Sequence, residues 1–190
     1  MTRPNLSADC ARCAALCCMA LAFDKSDLFG LDKAAGEACP HLDACGCCAI
    51  HGARAERGFA GCVAYDCLGA GQRVTAELFA GRTWMEEPAL AAPMAQAFAA
   101  VYRAHSLLLL LREAAKLPLS GAERRRRARL EAALEAAGAD HRRIAALEAA
   151  TQGFLRTLRR HGLRRRRATS KTSRGGQVAQ TAPSAKPEPD

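Results

Sequence analysis

Cys10-Ala11-Arg12-Cys13-Ala14-Ala15-Leu16-Cys17-Cys18 is the stretch on which the fold turns. It sets four thiols within nine residues. Outward from it come Cys39, Cys45, Cys47, Cys48, Cys62 and Cys67, and no cysteine follows in a chain of 190 residues. Ten thiols so crowded form either a disulfide scaffold or a metal site, and the redox compartment decides between them. A secretory signal needs a basic start, an unbroken apolar stretch and a small-residue cleavage site. Here Arg3 is followed by Asp9, Arg12 and cysteines, and the apolar run Ala14 to Phe23 contains two cysteines before Asp24 and Lys25. Ala14-Ala15-Leu16-Cys17 only faintly resembles a lipoprotein box, because Leu16 is too large for the position before the cysteine. The expected setting is the cytoplasm, with thiols reduced and free to ligate. No membrane span is expected, since the run Leu107 to Leu111 falls short of the ~20 apolar residues required.

The ordered pattern is Cys10-x2-Cys13-x3-Cys17-Cys18, then Cys39, then Cys48-x2-His51, then Cys62-x4-Cys67. Thiolate sulfur suits zinc and iron, and spacers of two to four residues let neighbouring cysteines converge on one ion around a tight turn. Adjacent Cys17 and Cys18 are not expected to point at one ion in relaxed geometry. One of them would serve a second ion, bridge two ions, or only pack. Cys45 and Cys47 are extra beside Cys48. They are ligands or small buried hydrophobes. His51 stands at a ligand spacing from Cys48, with a structural role as the alternative. His41 reads as a surface residue beside Pro40. Tyr65 and Asp66 could support the ligands from behind.

This pattern resembles the zinc- or iron-chelating cysteine-cluster domain, whose hallmark C-x2-C-x3-C-C stands here as Cys10, Cys13, Cys17 and Cys18. The apolar stretch and acidic residues at Met19 to Asp27 are similar to the family's next segment. Cys39-Pro40-His41-Leu42 matches its Cys-Pro-x-Leu element, and Cys48-Ala49-Ile50-His51 its Cys-x-Ile-His element. Which of Cys45, Cys47 and Cys48 takes the family position is open, and Cys48 is preferred because the phrase then reads through. The stretch Gly58 to Gln72 is closer still to the Cys-rich leader of certain actinobacterial pentapeptide-repeat proteins, although no such repeats occur here, so no β-helix is implied. The likeness covers roughly residues 9–87. It implies a metal site, with Cys10, Cys13, Cys17, Cys18, Cys39, Cys48, His51, Cys62 and Cys67 as candidate ligands, and it implies no reaction.

Three zones follow. Residues 1–87 are rich in Cys and Gly with little helical periodicity, and their modest apolar content calls for a metal to stabilise a small loop-rich domain. Residues 88–162 read as helices. Met94, Phe98, Val101, Tyr102, His105, Leu108 and Leu109 recur at spacings of three and four, on one face. His105 on that face reads as a core or interhelical hydrogen-bonding residue. Pro118 ends the first helix, Ser120 to Glu123 has the form of a capping box, and Leu130, Leu134 and Ala137 mark the second helix. Gly138 breaks it. Asp140 is a candidate N-cap for a third helix carrying Ile144, Leu147, Thr151, Phe154 and Leu158, ending near Gly162. The expected fold is mainly α, with an antiparallel helical hairpin or three-helix unit after the cysteine domain.

Residues 163–190 are expected to be a disordered basic tail. Most of the net charge of +9 lies from Arg156 onward, where ten Lys and Arg residues face only Glu188 and Asp190, a surplus of eight, which leaves one surplus charge for residues 1–155. Such a tail would bind nucleic acid weakly and without sequence choice, or merely solubilise the chain. It holds no aromatic residue for base stacking. No nucleophile elbow, P-loop, dinucleotide fingerprint or HExxH occurs, so side-chain catalysis finds no support. The function expected is that of a non-catalytic metal-binding module, zinc or iron–sulfur, whose helices dock a protein partner or a second copy. The alternatives are an iron–sulfur redox or electron-transfer accessory and a nucleic-acid-binding accessory acting through the tail.

Overall fold

A computed structural model of the chain describes residues 3–159 and 161. The architecture is mainly helical. Among the described residues there is no extended strand, only the isolated antiparallel bridges Phe23↔Lys33, Ser26↔Phe29 and Leu42↔Cys48. The cysteine half holds short helices: α1 (Leu16–Ala20), α2 (Ala60–Ala64) and α3 (Ala70–Gln72), the last continuing as a π-helical stretch over Arg73–Leu78. A 3-10 turn at Pro88–Leu90 leads into α4 (Ala91–Ala114), which is followed by α5 (Gly121–Glu135) and α6 (His141–Thr157).

The local start and stop signals act as their chemistry requires. The Ser120 side chain accepts from the Glu123 N–H while the Glu123 carboxylate accepts from the Ser120 N–H at 2.8 Å, a complete capping box on α5. Asp140 accepts from the Arg143 N–H at 2.9 Å and so caps α6. Ile144, Thr151 and Phe154 of α6 are buried. The proposed helix end at Gly162 and the tail 163–190 lie outside the described residues.

Beyond a small cluster of Phe23, Phe29 and Phe59, the cysteine half packs on the helices that follow it. Leu16 and Met19 of α1, Ala70 of α3 and Val74 pack directly on Met94, Ala97, Phe98 and Val101 of α4, all of them buried. One core therefore runs across residue 87, and the chain from its start to Leu155 forms one compact unit, with a second beginning at Arg156. Long-range polar contacts reinforce this docking. The Trp84 indole N–H donates to the Ala14 carbonyl at 2.6 Å, and the Ala14 N–H to Thr75 Oγ1 at 3.0 Å. Arg73 donates from one nitrogen to the Glu135 carbonyl at 2.7 Å and from another to the His105 ring at 3.1 Å. The end of α5 thus lies beside the middle of α4, so α5 runs back along it. Glu131 of α5, nearly buried, is ringed by Arg3, Arg112 and Arg127. Burial opposes its charge, but Arg3 and Arg127 hold its carboxyl below the ordinary range.

The stretch Pro88–Ala114 is long and apolar enough to cross a membrane by length and composition, which the sequence reading, looking only for an uninterrupted apolar run, did not anticipate. Its most apolar window has a mean hydropathy of 1.3 and is 56% buried within the protein. Eleven of its residues, from Met94 to Ala114, supply the core.

His105 is fully buried in α4. Its Nδ1–H donates to the Leu68 carbonyl at 2.6 Å and Nε2 accepts from Arg73, so the ring is neutral. Burial, opposed by the Leu68 bond and aided by Arg73 and Arg112, holds its pKa down at about 4. An unfolded ring takes its proton near pH 6.5. This contribution to stability is therefore complete above about pH 6.5 and is lost as the pH falls from there towards 4. Urea unfolding of the parent should weaken across that window, and His105→Gln should show a smaller slope of stability against pH there. Equal slopes would place the ionisation elsewhere.

Candidate metal centre

Nine of the ten cysteines line a single cavity of about 520 Å³: Cys10, Cys13, Cys17, Cys18, Cys39, Cys45, Cys47, Cys48 and Cys62. His41 and His51 join them, and the rest of the wall is largely apolar, with Leu21, Phe23, Phe29, Leu42, Ile50, Phe59 and Tyr65. Arg54 is the one cation of this wall. Every cysteine is a free thiol.

Separate pieces of backbone bring these thiols together. Cys10 opens a 3-10 turn closed by the Cys13 N–H donating to the Cys10 carbonyl at 3.3 Å. Ala15, in a left-handed conformation at φ 50°, then starts α1, which carries Cys17 and Cys18. Successive helical residues stand about 100° apart, so two neighbours at a helix edge can both reach one cavity. Their sulfurs are 3.9 Å apart. That is close to the edge of a tetrahedron built on Zn–S bonds of about 2.3 Å.

Cys39 is fixed by its N–H donating to the Cys18 carbonyl at 3.0 Å. The Leu42↔Cys48 bridge and the Ala49 N–H donating to the His41 carbonyl at 2.8 Å fold Cys48 back over Cys39. Between them, Asp43 Oδ1 accepts from the Cys45 and Cys47 N–H groups at 2.9 and 2.8 Å, and Gly46 turns at φ 75°. This loop sets Cys45 and Cys47 on the exposed rim of the cavity. His51 is at the wall but exposed, whereas His41 is half-buried and meets Phe59 edge-on at 4.9 Å. Cys62 sits on α2, whose carbonyl at that residue accepts from Arg54 at 3.3 Å. Cys67 does not line the cavity; it packs beside Cys13 and Cys17 on the core. Asp66 spends its carboxylate on the Leu68 N–H at 2.8 Å, closing a local turn.

Lys33, whose role the sequence did not reveal, is buried behind this wall. Its ammonium donates to the carbonyls of Met19, Ala34 and Glu37 at 3.2, 3.1 and 2.8 Å. Burial lowers its pKa, and the nearby Cys39 and Cys18 sulfurs work in the opposite direction.

The thiols are not equivalent. Cys17 and Cys18 contact each other through their sulfurs, and that contact holds Cys17 down, to about 7, against its burial and pushes Cys18 up, with Arg54 assisting Cys17. Burial pushes Cys13 up to about 12. It also raises Cys10 and Cys62, with neighbouring sulfurs adding to the rise and Arg54 opposing it.

The donor set is that of a soft-metal site: many thiols, imidazole, apolar walls and a cation. As the side chains stand, no three His, Cys, Asp or Glu groups among the described residues are gathered at ion-holding spacing. The fold fixes the backbone positions, and a thiol that turns from one χ1 well to another relocates its sulfur without moving them. The residues therefore fit a thiolate-bound metal in their donor chemistry, and their sulfurs would have to turn to close on an ion.

No family model matches the chain, and no solved structure matches it. A curated relative, described as an uncharacterized protein YybG of Bacillus subtilis (strain 168), is 40% identical over 116 residues. The match takes in 61% of this chain and 42% of the relative, so the chain spans less than half of that protein's length.

Gly71 of α3 offers a test of Cys13 as a ligand. A Cβ there would lie 2.4 Å from the Cys13 sulfur. Gly71→Ala favours the helix by about 1 kcal/mol but evicts the sulfur. Zinc affinity should fall by about 10- to 100-fold, the range for disturbing what seats a ligand, while the metal-free unfolding midpoint changes little. Unchanged affinity would remove Cys13 from the ligand set.

Proposed function

We propose that this chain is a metal-binding cysteine-cluster protein, a non-catalytic module in which zinc ties separate thiol-bearing segments together. The reading is carried by one observation: nine cysteines from the 10–18, 39–48 and 62 regions face one cavity of about 520 Å³. Disordered surface loops would not gather thiols so, and a reactive site would need only one or two. The arrangement agrees with the likeness to the cysteine-cluster family. Zinc would offset the like-charge repulsion of thiolates and supply folding free energy to a region whose own core is thin. Reduced thiols of this number suit the cytoplasm. Leu109 and Leu110, exposed side by side on α4 at 37% and 48%, are the apolar surface on which a protein partner or second copy would dock.

The size of the cavity favours a second reading. One ion with four bonds of about 2.3 Å fills little of it, which leaves room for an iron–sulfur centre and a redox or electron-transfer role.

Full-length protein prepared without oxygen separates these readings. Stoichiometric zinc in colourless protein supports the first; iron with broad visible absorption supports the second. In either case a strong chelator should lower the thermal midpoint by roughly 10 °C, as a loss of a few kcal/mol does in a chain of this size. Metal-free protein with an unmoved midpoint would refute both.

A further inference from the structure

The turn that carries Cys10 and Cys13 is held at both ends by side chains of one distant element. Cys10–Arg12 form a 3-10 turn, and the residue before it, Asp9, makes no cap with its own side chain. Gln72, at the end of α3 and 63 positions away, takes that part instead. It is buried, its Oε1 accepts from the Asp9 N–H at 3.2 Å, and its Nε2 donates to the Ser7 carbonyl at 2.7 Å. A primary amide offers both an acceptor and a donor, so this one side chain grips two backbone groups of the approach to Cys10. Beyond the turn, the Ala14 N–H donates to the buried Thr75 Oγ1 at 3.0 Å. The Thr75 hydroxyl spends its single proton on the Gly71 carbonyl at 3.1 Å, which leaves the oxygen to accept from Ala14. Gln72 and Thr75 stand three positions apart, where the helix widens into its π-helical stretch. Such local widening recurs at functional sites. Beside them the bare Gly71 leaves the space in which the Cys13 sulfur lies.

We propose that Gln72 is a positioning residue of the metal centre: with Thr75 it seats the Cys10–Cys13 turn on α3 and so sets both thiols at the cavity wall. This rests on the metal-binding reading and deepens it. Neither Gln72 nor Thr75 lines the cavity, whereas Cys10 and Cys13 do. The two side chains therefore act through the backbone on either side of the thiols and not as ligands. An ion that engages Cys10 and Cys13 meets a turn whose ordering has already been met by these bonds, as outer groups do when they orient a ligand.

Gln72→Met keeps the length and the burial and removes both bonds. Competition of the full-length variant against a chromophoric zinc chelator should show an affinity lower by about 10- to 100-fold, the range for losing a group that orients a ligand. Alkylation read by mass spectrometry locates the loss. Zinc should protect Cys10 and Cys13 in the parent, and in the variant these two should lose protection while Cys39 and Cys48 keep it. Parental affinity in the variant, or a zinc-loaded parent with Cys10 and Cys13 unprotected, would overturn the proposal and leave metal binding standing. Protection lost equally at all four would mark a general loosening and overturn it too. A parent that binds no zinc would overturn the proposal together with the zinc reading. Thr75→Val, which frees the other end of the turn, should give the same split and decides the matter where Gln72→Met fails to fold.

Discussion

The packing of Leu16 and Met19 on Met94, Phe98 and Val101 is the contact on which the rest depends. Burial of a large aliphatic or aromatic side chain stabilises by roughly 1.5–3 kcal/mol, and α1 is only five residues long, too short to persist alone. Its helical form comes from the surface of α4 beneath it. Because α1 carries Cys17 and Cys18 on its other side, the same contact that makes it a helix also aims those thiols at the cavity. Val74 and Ala70 do the equivalent service for α3, against which the Cys13 sulfur rests. The helical half is thus a base and the cysteine half a set of short helices and loops laid on it, so the thiols inherit their positions from residues many tens of positions away.

Electrostatics follows from that geometry. Thiols brought together in an apolar hollow resist ionising, as Cys10, Cys13 and Cys62 do, and the exception is Cys17, whose sulfur contacts that of Cys18. Arg54 and Lys33 bring positive charge close by. Lys33 holds its place with three backbone carbonyls, which also pins the 33–37 loop to the end of α1.

What could be read from the sequence was local. The spacing of Cys10, Cys13, Cys17 and Cys18, the Ser120–Glu123 capping box, the Asp140 cap and the apolar face of α4 each depend on residues within a few positions of one another. What could not be read was tertiary. Nothing near Leu16 announces Phe98, and nothing in Lys33 distinguishes a buried ammonium from an exposed one. Arg73 looks like a surface residue of a glycine-rich zone until the Glu135 carbonyl and His105 are brought to it. A sharp boundary at residue 87 looked natural because composition changes there, yet the core crosses it, since composition reports what a segment is made of and not what it leans on. Cys45 and Cys47 reach the cavity through the Asp43 turn; the Asp-x-Cys-Gly-Cys phrase was the signal for it.

The apolar stretch of α4 has a consequence for how the chain is made. A helix with membrane-like hydropathy is hazardous when bare, and the cover of its Met94–Val101 part is supplied by α1 and α3, while α5 packs along it from the other direction of the chain. Both α1 and α3 precede it in the chain. During synthesis, which proceeds from the N-terminus at about 5–20 residues per second, the covering segments leave the ribosome before the helix they must shield. The order of the two halves thus gives Met94 to Val101 their cover as they emerge, while the rest of α4 waits for α5.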